Sequence, residues 1–508
     1  MAKYEKVDMD IESEEDYDDV PAGNTKAEKR QLMIIYVLFL TEAVMAASLQ
    51  PQLKMLVAKD DFCGNLSTSY LRSILDCAYA FGGIAGIFWG WLSDRIGRRP
   101  VALTGVIGMS ACCLSMGFAT SLPVCAAIRL LAGLISSAVP VTALTMIGDL
   151  SHSPSARSKN IARLPLIAVC GSVGPLVQAM VTGSIKASGE IWQRFPILSS
   201  EIACSSLVFL IGFTAYFMLD ETLPGLASPN KPITMESSDV DCEKAAFLGQ
   251  ESQDEQMMNP TIRIVDSTGP EPISVRQIIK APSLIVLLSS FSLLSLHAST
   301  FDTLLPHLGH SSTRHGGMGI PCSVLGFVVL LLRAVAGLLI LITIPKAVER
   351  IGLLKPYRMF SLAFPVIYVA TPVFAYMAMC SAMPTAISAT LAILFKNIFA
   401  GSAQTLVALL MLNAAPDAYS SGTIVGWMQC ASFFKALAVA VSGASFYVSS
   451  DLSITSTNYA LWSSLTAFSV IGAALAWFVR ERPSVEQDFP SEVLKWETCF
   501  DADGEGAV

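Results

Sequence analysis

The chain has 508 residues, 53% of them hydrophobic and only 15% charged, with a formal net charge of −8. Mean hydropathy is +0.56, whereas a soluble domain carries about a quarter charged residues, so an ordinary soluble enzyme is excluded. The charge that exists sits mostly in tails and loops, and no nucleic-acid partner is expected from it. Of the twelve cysteines most lie singly inside apolar runs, and Cys112-Cys113 form an adjacent pair. They read as small apolar helix residues rather than as metal ligands or disulfides.

Residues 1–30 form an acidic, polar tail in which disorder is expected, and no signal peptide is recognisable. Apolar segments follow at about 31–57, 72–92, 101–119, 122–148, 162–185 and 197–219. Each approaches or exceeds the ~20 residues that a helix needs to cross a bilayer. A polar stretch rich in Ser, Asp, Glu and Pro occupies 220–282 and reads as a linker. Six more apolar segments lie near 283–306, 322–345, 357–380, 385–412, 421–448 and 459–479, and a polar tail covers 481–508. The expected fold is an all-α integral membrane protein of twelve transmembrane helices in two six-helix bundles, 31–219 and 283–480.

Basic residues fix the expected orientation. Lys29, Arg30, Arg95, Arg98, Arg99, Arg157, Lys159, Lys346, Arg350, Lys355, Arg358, Arg480 and Arg482 flank one side of the segments; Lys59, Lys186, Arg194 and Arg314 flank the other. That asymmetry puts both termini, the linker and the C-terminal tail in the cytoplasm.

An internal repeat is visible at an offset of 255 residues. Ala43, Leu49, Pro51 and Leu53 match Ala298, Leu304, Pro306 and Leu308, and Asp94-Arg95-Ile96-Gly97 superposes on Glu349-Arg350-Ile351-Gly352. Chance matches between Leu- and Ala-rich segments are common, but an acid-Arg-Ile-Gly quartet at the same offset is not. The halves are therefore pseudo-symmetric, as in repeat-built transporters.

Four sequence patterns carry chemistry. Residues 90–99, Gly-Trp-Leu-Ser-Asp-Arg-Ile-Gly-Arg-Arg, sit between two apolar segments. Gly90 permits close helix approach, Asp94 can accept from free N–H groups at an opposing helix start, and Gly97 permits a tight reversal. Arg129-x-x-x-Gly133 lies in the fourth segment, Asp149 ends it, and Gly171-x-x-Gly174-Pro175 lies in the fifth. Together these patterns resemble the major facilitator superfamily of secondary transporters, and its twelve-helix drug–proton antiporter branch in particular. The helix 5 pattern is incomplete, with Gln178-Ala179 where two further glycines are usual. Leu219-Asp220-Glu221-Thr222-Leu223-Pro224, Phe301-Asp302-Thr303-Leu304-Leu305-Pro306 and Asn413-Ala414-Ala415-Pro416 look like fungal members of that branch. The resemblance implies a cytoplasmic gate at Gly90, Asp94, Arg95, Gly97, Arg98, Arg99 and Asp149, with Glu349 and Arg350 as the counterpart in the second half.

Ionisable residues inside apolar segments are costly unless paired or wet, so each is a site candidate. Glu42 lies about eleven residues into the first segment, ~17 Å deep at ~1.5 Å per residue. It is the candidate proton carrier, against a structural ion pair as the alternative. Its repeat-mate is His297, which could titrate near neutral pH or stay a neutral, hydrogen-bonded helix histidine. Arg129 and Lys396 lie deep in the fourth and tenth segments and could line a cavity or snorkel; Arg333 and Lys435 are near the middles of the eighth and eleventh. Asp76, Glu201 and Asp302 read as interfacial carboxylates. The resemblance implies a part in proton transfer for Arg129, so the proton-coupling candidates are Glu42, Arg129 and His297, and the substrate-cavity candidates are these three with Lys396.

With no Walker A sequence, ATP-driven pumping is disfavoured. No cofactor and no metal are expected, and a proton gradient would be the energy source. The resemblance implies efflux of small organic molecules by alternating access, by a monomer, in the plasma membrane rather than the vacuolar one. Proton-coupled uptake of a nutrient or metal chelate, and a non-transporting sensor on the same fold, are the rival readings.

Overall fold

The computed structural model describes residues 26–47, 68–172, 174, 178, 180–181, 190–195, 197–224, 282–310, 320–377, 382–415, 418–431, 433–440 and 454–479. The expectations for residues 1–25, for the C-terminal tail, for nearly all of the linker, and for Leu49, Pro51, Leu53, Lys59, Pro175, Ala179, Lys186, Arg314, Pro416 and Arg480 lie outside them. The last five residues of the expected disordered tail, 26–30, are instead the helical start of the first crossing.

Among the described residues every regular element is helical. They are α1 (Lys26–Ala47), α2 (Thr68–Phe81), α3 (Gly86–Ile96), α4 (Arg98–Gly117), α5 (Leu122–Ser136), α6 (Ala138–Asp149), α7 (Pro154–Ile161), α8 (Leu164–Gly171), α9 (Glu190–Arg194), α10 (Leu198–Met218), α11 (Pro282–His310), α12 (Cys322–Ile351), α13 (Leu354–Met377), α14 (Ala382–Asn413), α15 (Ala418–Cys430) and α16 (Ile454–Phe478). Several are consecutive parts of one crossing, as in Leu71–Ile96 and Leu122–Asp149. Eleven helices among the described residues are long and apolar enough to span a membrane. The fifth expected crossing, 162–185, is represented by α8, and most of its remainder lies outside the described residues.

Local sequence explains where the helices begin and end. Ser153 stands in extended conformation before α7 and accepts a hydrogen bond from the Ala156 N–H at 3.1 Å, with Pro154 in the first turn where its missing donor costs nothing. Between α3 and α4, Gly97 has φ of 102°, and between α12 and α13, Gly352 has φ of 79°. These repeat-mates are the positive-φ glycines among the described residues, so the two halves reverse the chain by the same backbone device.

Packing separates inner from outer surfaces. The window of Val324–Ile351 with mean hydropathy 2.8 is only 28% buried, whereas that of Leu122–Asp149 is 72% buried. Phe209, Phe213 and Phe217 on α10, and Met359, Val366 and Val373 on α13, are exposed along one helix face each. Exposed apolar stripes of this length are what a bilayer, rather than water, accommodates. In the first half α10 packs on α4, α2 on α5 and α1 on α8; in the second, α13 packs on α14 and α16, and α12 on α14. The halves meet along α3 against α15 and along α8 against α12. A Cβ at Gly90 would collide with the Gly422 carbonyl, so α3 and α15 touch backbone to backbone.

Candidate functional site

Two groups of polar residues lie where the halves meet. The first is at the end carrying the 90–99 loop. Asp94 is 4% exposed. Its carboxylate accepts from the N–H of Gly422 at 2.9 Å, the N–H of Thr423 at 2.6 Å and the Thr423 hydroxyl at 2.7 Å. These donors lie in the N-terminal part of α15, four and five residues past Ala418. Asp94 therefore ties the end of α3 to a helix of the opposite half through three hydrogen bonds to its charged carboxylate.

Arg98 is completely buried, pairs with Asp149 and donates to the Ser421 hydroxyl at 2.8 Å. Asp149 also accepts from the Thr222 hydroxyl at 2.9 Å. Glu221 accepts from the N–H groups of Arg98 and Arg99 at 2.9 and 3.0 Å, and so caps α4. A Cβ on Gly97 would strike that carboxylate, which is a second reason for glycine there. Arg95 stacks on Trp91 at 4.3 Å, and Arg99 lies over the Tyr216 ring at 5.7 Å. In the second half the counterpart differs: Glu349 and Arg350 are exposed and make no ion pair or hydrogen bond among the described residues.

The second group lies deep among the helices. Glu42 on α1 is half-buried and accepts from the Tyr79 hydroxyl of α2 at 3.1 Å. Arg129 on α5 is 5% exposed, donates to the Met45 carbonyl at 3.3 Å and lies 5.6 Å from the centre of the Tyr79 ring. Lys435, from the second half, interacts electrostatically with Glu42. Gly171 and Gly174 press on α1 beside this group: a Cβ at Gly174 would sit 2.5 Å from Val44 Cγ1.

Across the interior, Lys396 on α14 pairs with Asp302 of α11 at 2.5 Å, and Arg333 of α12 bonds the other oxygen of the same carboxylate at 3.2 Å. Lys396 is 2% exposed and lies 5.0 Å from the Phe301 ring centre. His297 is buried, 2.8 Å from the Tyr368 hydroxyl, with its ring tilted at 58° to that of Phe364, 4.9 Å between centres. A cavity of about 330 Å³ opens beyond that tyrosine, between α13 and α16, lined by Tyr368, Val373, Trp462 and Thr466 among others.

The four cavity candidates thus fall into three settings. Glu42 and Arg129 converge on Tyr79, Lys396 is held by Asp302, and His297 is bound to Tyr368. Two interfacial readings are corrected. Asp302 is the shared partner of two cations, and Glu201 is 1% exposed, receiving the Cys113 thiol at 2.7 Å. Counting turns from a segment's end misjudged both, because helices extend beyond their apolar runs and neighbours cover their ends. Asp76 fits its reading, half-exposed and paired with Arg72 at 3.3 Å. Arg129 and Lys396 are too buried to snorkel. Tyr79, Thr423 and Glu221 were missed as site residues; a tyrosine one helix from a buried acid and an acid-Thr pair after a crossing are faint signals. Among the described residues no three His, Cys, Asp or Glu side chains are grouped to hold a metal.

A many-helix membrane domain, closed at one end by contacts between its halves and holding charges at its centre, defines a multi-pass transport protein. The profile of the Major Facilitator Superfamily matches residues 32–440, and the chain belongs to that family. It is a transporter rather than an enzyme. It is 23% identical over 379 residues to the major facilitator-type transporter psiT2 of Psilocybe cyanescens, covering 70% of each chain. It is 22% identical over 479 residues to the multidrug transporter mfsB of Aspergillus fumigatus, covering 82% of this chain and 78% of the relative. The solved proton:xylose symporter XylE shares the fold, with a TM-score of 0.61 at 15% identity over 93% of this chain and 99% of the other.

Proposed function

We propose that the protein exports small organic molecules by alternating access, driven by a proton gradient, with Glu42 as the proton-carrying group. One observation carries this reading: a carboxylate in mid-helix, bonded to Tyr79 and facing Lys435 of the other half. Moving the halves relative to one another changes that carboxylate's surroundings, and surroundings decide whether an acid holds its proton. Arg129 is the modulator, acting through the Tyr79 ring it overlies. The substrate binds between the halves, near α1, α5, α11 and α14, while the Asp94 latch keeps the other end shut. The relative named as a multidrug transporter supports efflux. The Lys and Arg asymmetry supports cytoplasmic termini and a cytoplasmic latch. A monomer in the plasma membrane, needing no cofactor, completes the proposal.

The test reconstitutes wild type and Glu42→Gln in vesicles of known orientation and follows substrate with and without an imposed pH gradient. Wild type is expected to concentrate substrate against its gradient only when protons flow the opposite way. Glu42→Gln is expected to equilibrate it and no more. Gradient-driven accumulation by Glu42→Gln would make that residue a structural acid, and accumulation in the same direction as proton flow would make the protein a symporter.

A further inference from the structure

Six charged side chains occupy one level of the interior. Glu42, Arg129, Asp302, Arg333, Lys396 and Lys435 each lie 16 to 20 residues from the helix or crossing end on the Asp94 face. At ~1.5 Å per residue that is about 24–30 Å along every one of these helices. They come from both halves and from six different crossings, so the level is a ring of charge around the path between the halves.

The ring does not balance. Four cations face two carboxylates among the described residues. Asp302 is already shared by Lys396 and Arg333. Glu42 is bonded to Tyr79 and reaches Lys435 only through space. Arg129, 95% buried, is paired with no carboxylate among the described residues, and its Nε has no hydrogen-bond partner among them. Its guanidinium cannot discharge the cost by losing a proton. Even with Lys435 neutral, the level keeps a positive excess. Charge left unbalanced away from water is expensive, and proteins keep it where a partner arrives to complete it.

We infer that the transported molecule is an organic anion, whose carboxylate, sulfonate or phosphate group enters this ring and is held by Arg129 and Lys435. The inference rests on the transport reading and adds the substrate's charge to it. Arg129 supplies a planar donor set suited to an oxyanion, and Lys435 supplies a compact point charge from the opposite half. An anion between them bridges the halves, as a substrate must to couple its binding to their movement.

The experiment measures binding to the purified full-length protein by fluorescence polarisation, with unlabelled dye competing to isolate the saturable signal. The probes are carboxyfluorescein, a polyanionic carboxylate dye, and rhodamine 6G, a cationic one. Saturable carboxyfluorescein binding is expected, weakened at least ~10-fold in Lys435→Gln and in Arg129→Gln, as for loss of one charged hydrogen bond. Lys435→Arg, which keeps the charge, is expected to bind carboxyfluorescein more tightly than Lys435→Gln, and this separates lost charge from lost folding. Tighter binding of rhodamine 6G, no saturable carboxyfluorescein signal, or an affinity unchanged in Lys435→Gln would each overturn the inference. The transport reading fails separately: gradient-driven movement of rhodamine 6G would sustain it while sinking the anion. Carboxyfluorescein binding without gradient-driven movement would do the reverse.

Discussion

The two loops that begin with acid-Arg-Ile-Gly are the same in local form and opposite in use. Gly97 and Gly352 both turn with positive φ, yet Asp94 is buried against α15 while Glu349 is exposed. The cause lies outside the shared quartet. Four residues before the acid, the first loop has Gly90 and the second has Pro345. Gly90 lets α15 come close enough for Asp94 to reach Gly422 and Thr423 on it, and Pro345 sits inside α12 with a ring where that hollow would be. Four residues after the acid stand Arg98 and Leu353. Arg98 ties Asp149 and Ser421 together; Leu353 is buried as an ordinary apolar residue. A latch therefore needs a cradle and a tie as well as a turn.

Giving the first loop the second loop's residue is the sharpest way to break this difference. Arg98→Leu leaves the Asp149 carboxylate, 13% exposed, without its cation. Stranding one member of a buried pair costs about 3–5 kcal/mol, so a large fall in thermal stability and near-complete loss of transport are expected. A melting curve and a flux assay on the same preparation check both. A stable, active Arg98→Leu protein would show that the tie is dispensable.

Asp94→Asn is expected to do less. The amide keeps one acceptor oxygen, but the charge that accepts from Gly422 and Thr423 is gone, a loss of roughly 1–3 kcal/mol. An equilibrium between closed and open ends that is balanced within a few kcal/mol would shift visibly. Expected are normal insertion, reduced turnover, and faster labelling of a cysteine placed at Ser421 by a water-soluble thiol reagent. Unchanged labelling would remove Asp94 from the closure. At the small end, Glu349→Gln touches an exposed side chain with no partner among the described residues, and turnover and melting temperature are expected to match wild type. A clear loss in Glu349→Gln would mean that the second loop acts in a conformation other than this one.

The sequence made the membrane architecture and the first loop legible because both rest on local signals: apolar length, and residue types at fixed spacing. Glu42 and Arg129 were legible for a similar reason, as charges that have no cheap place in an apolar run. Partnerships were not. Asp302 and Lys396 are separated by 94 residues, and nothing in either segment says which cation an acid will meet. Tyr79 joins Glu42 to Arg129 through one hydroxyl and one ring face, yet a tyrosine in a membrane helix has no signature of function. The repeat pointed to symmetric gates, because the quartet is copied; the asymmetry came from residues just outside it, where a glycine and a proline look equally at home in sequence.

The seam between α3 and α15 has a mechanical consequence. Where Gly90 faces Gly422, no side chains interlock, so no knob must leave a hole when one helix moves past the other. Such a contact behaves as a plain bearing: it carries load by van der Waals touch and resists rotation little. A seam of interlocked side chains would have to be repacked whenever its helices moved past one another. Under the proposed alternating access, placing the smooth surface beside the Asp94 tie would let the protein lock with a few directional bonds and, once they part, turn at small cost. The lock and the axle are thus built from the same two helices.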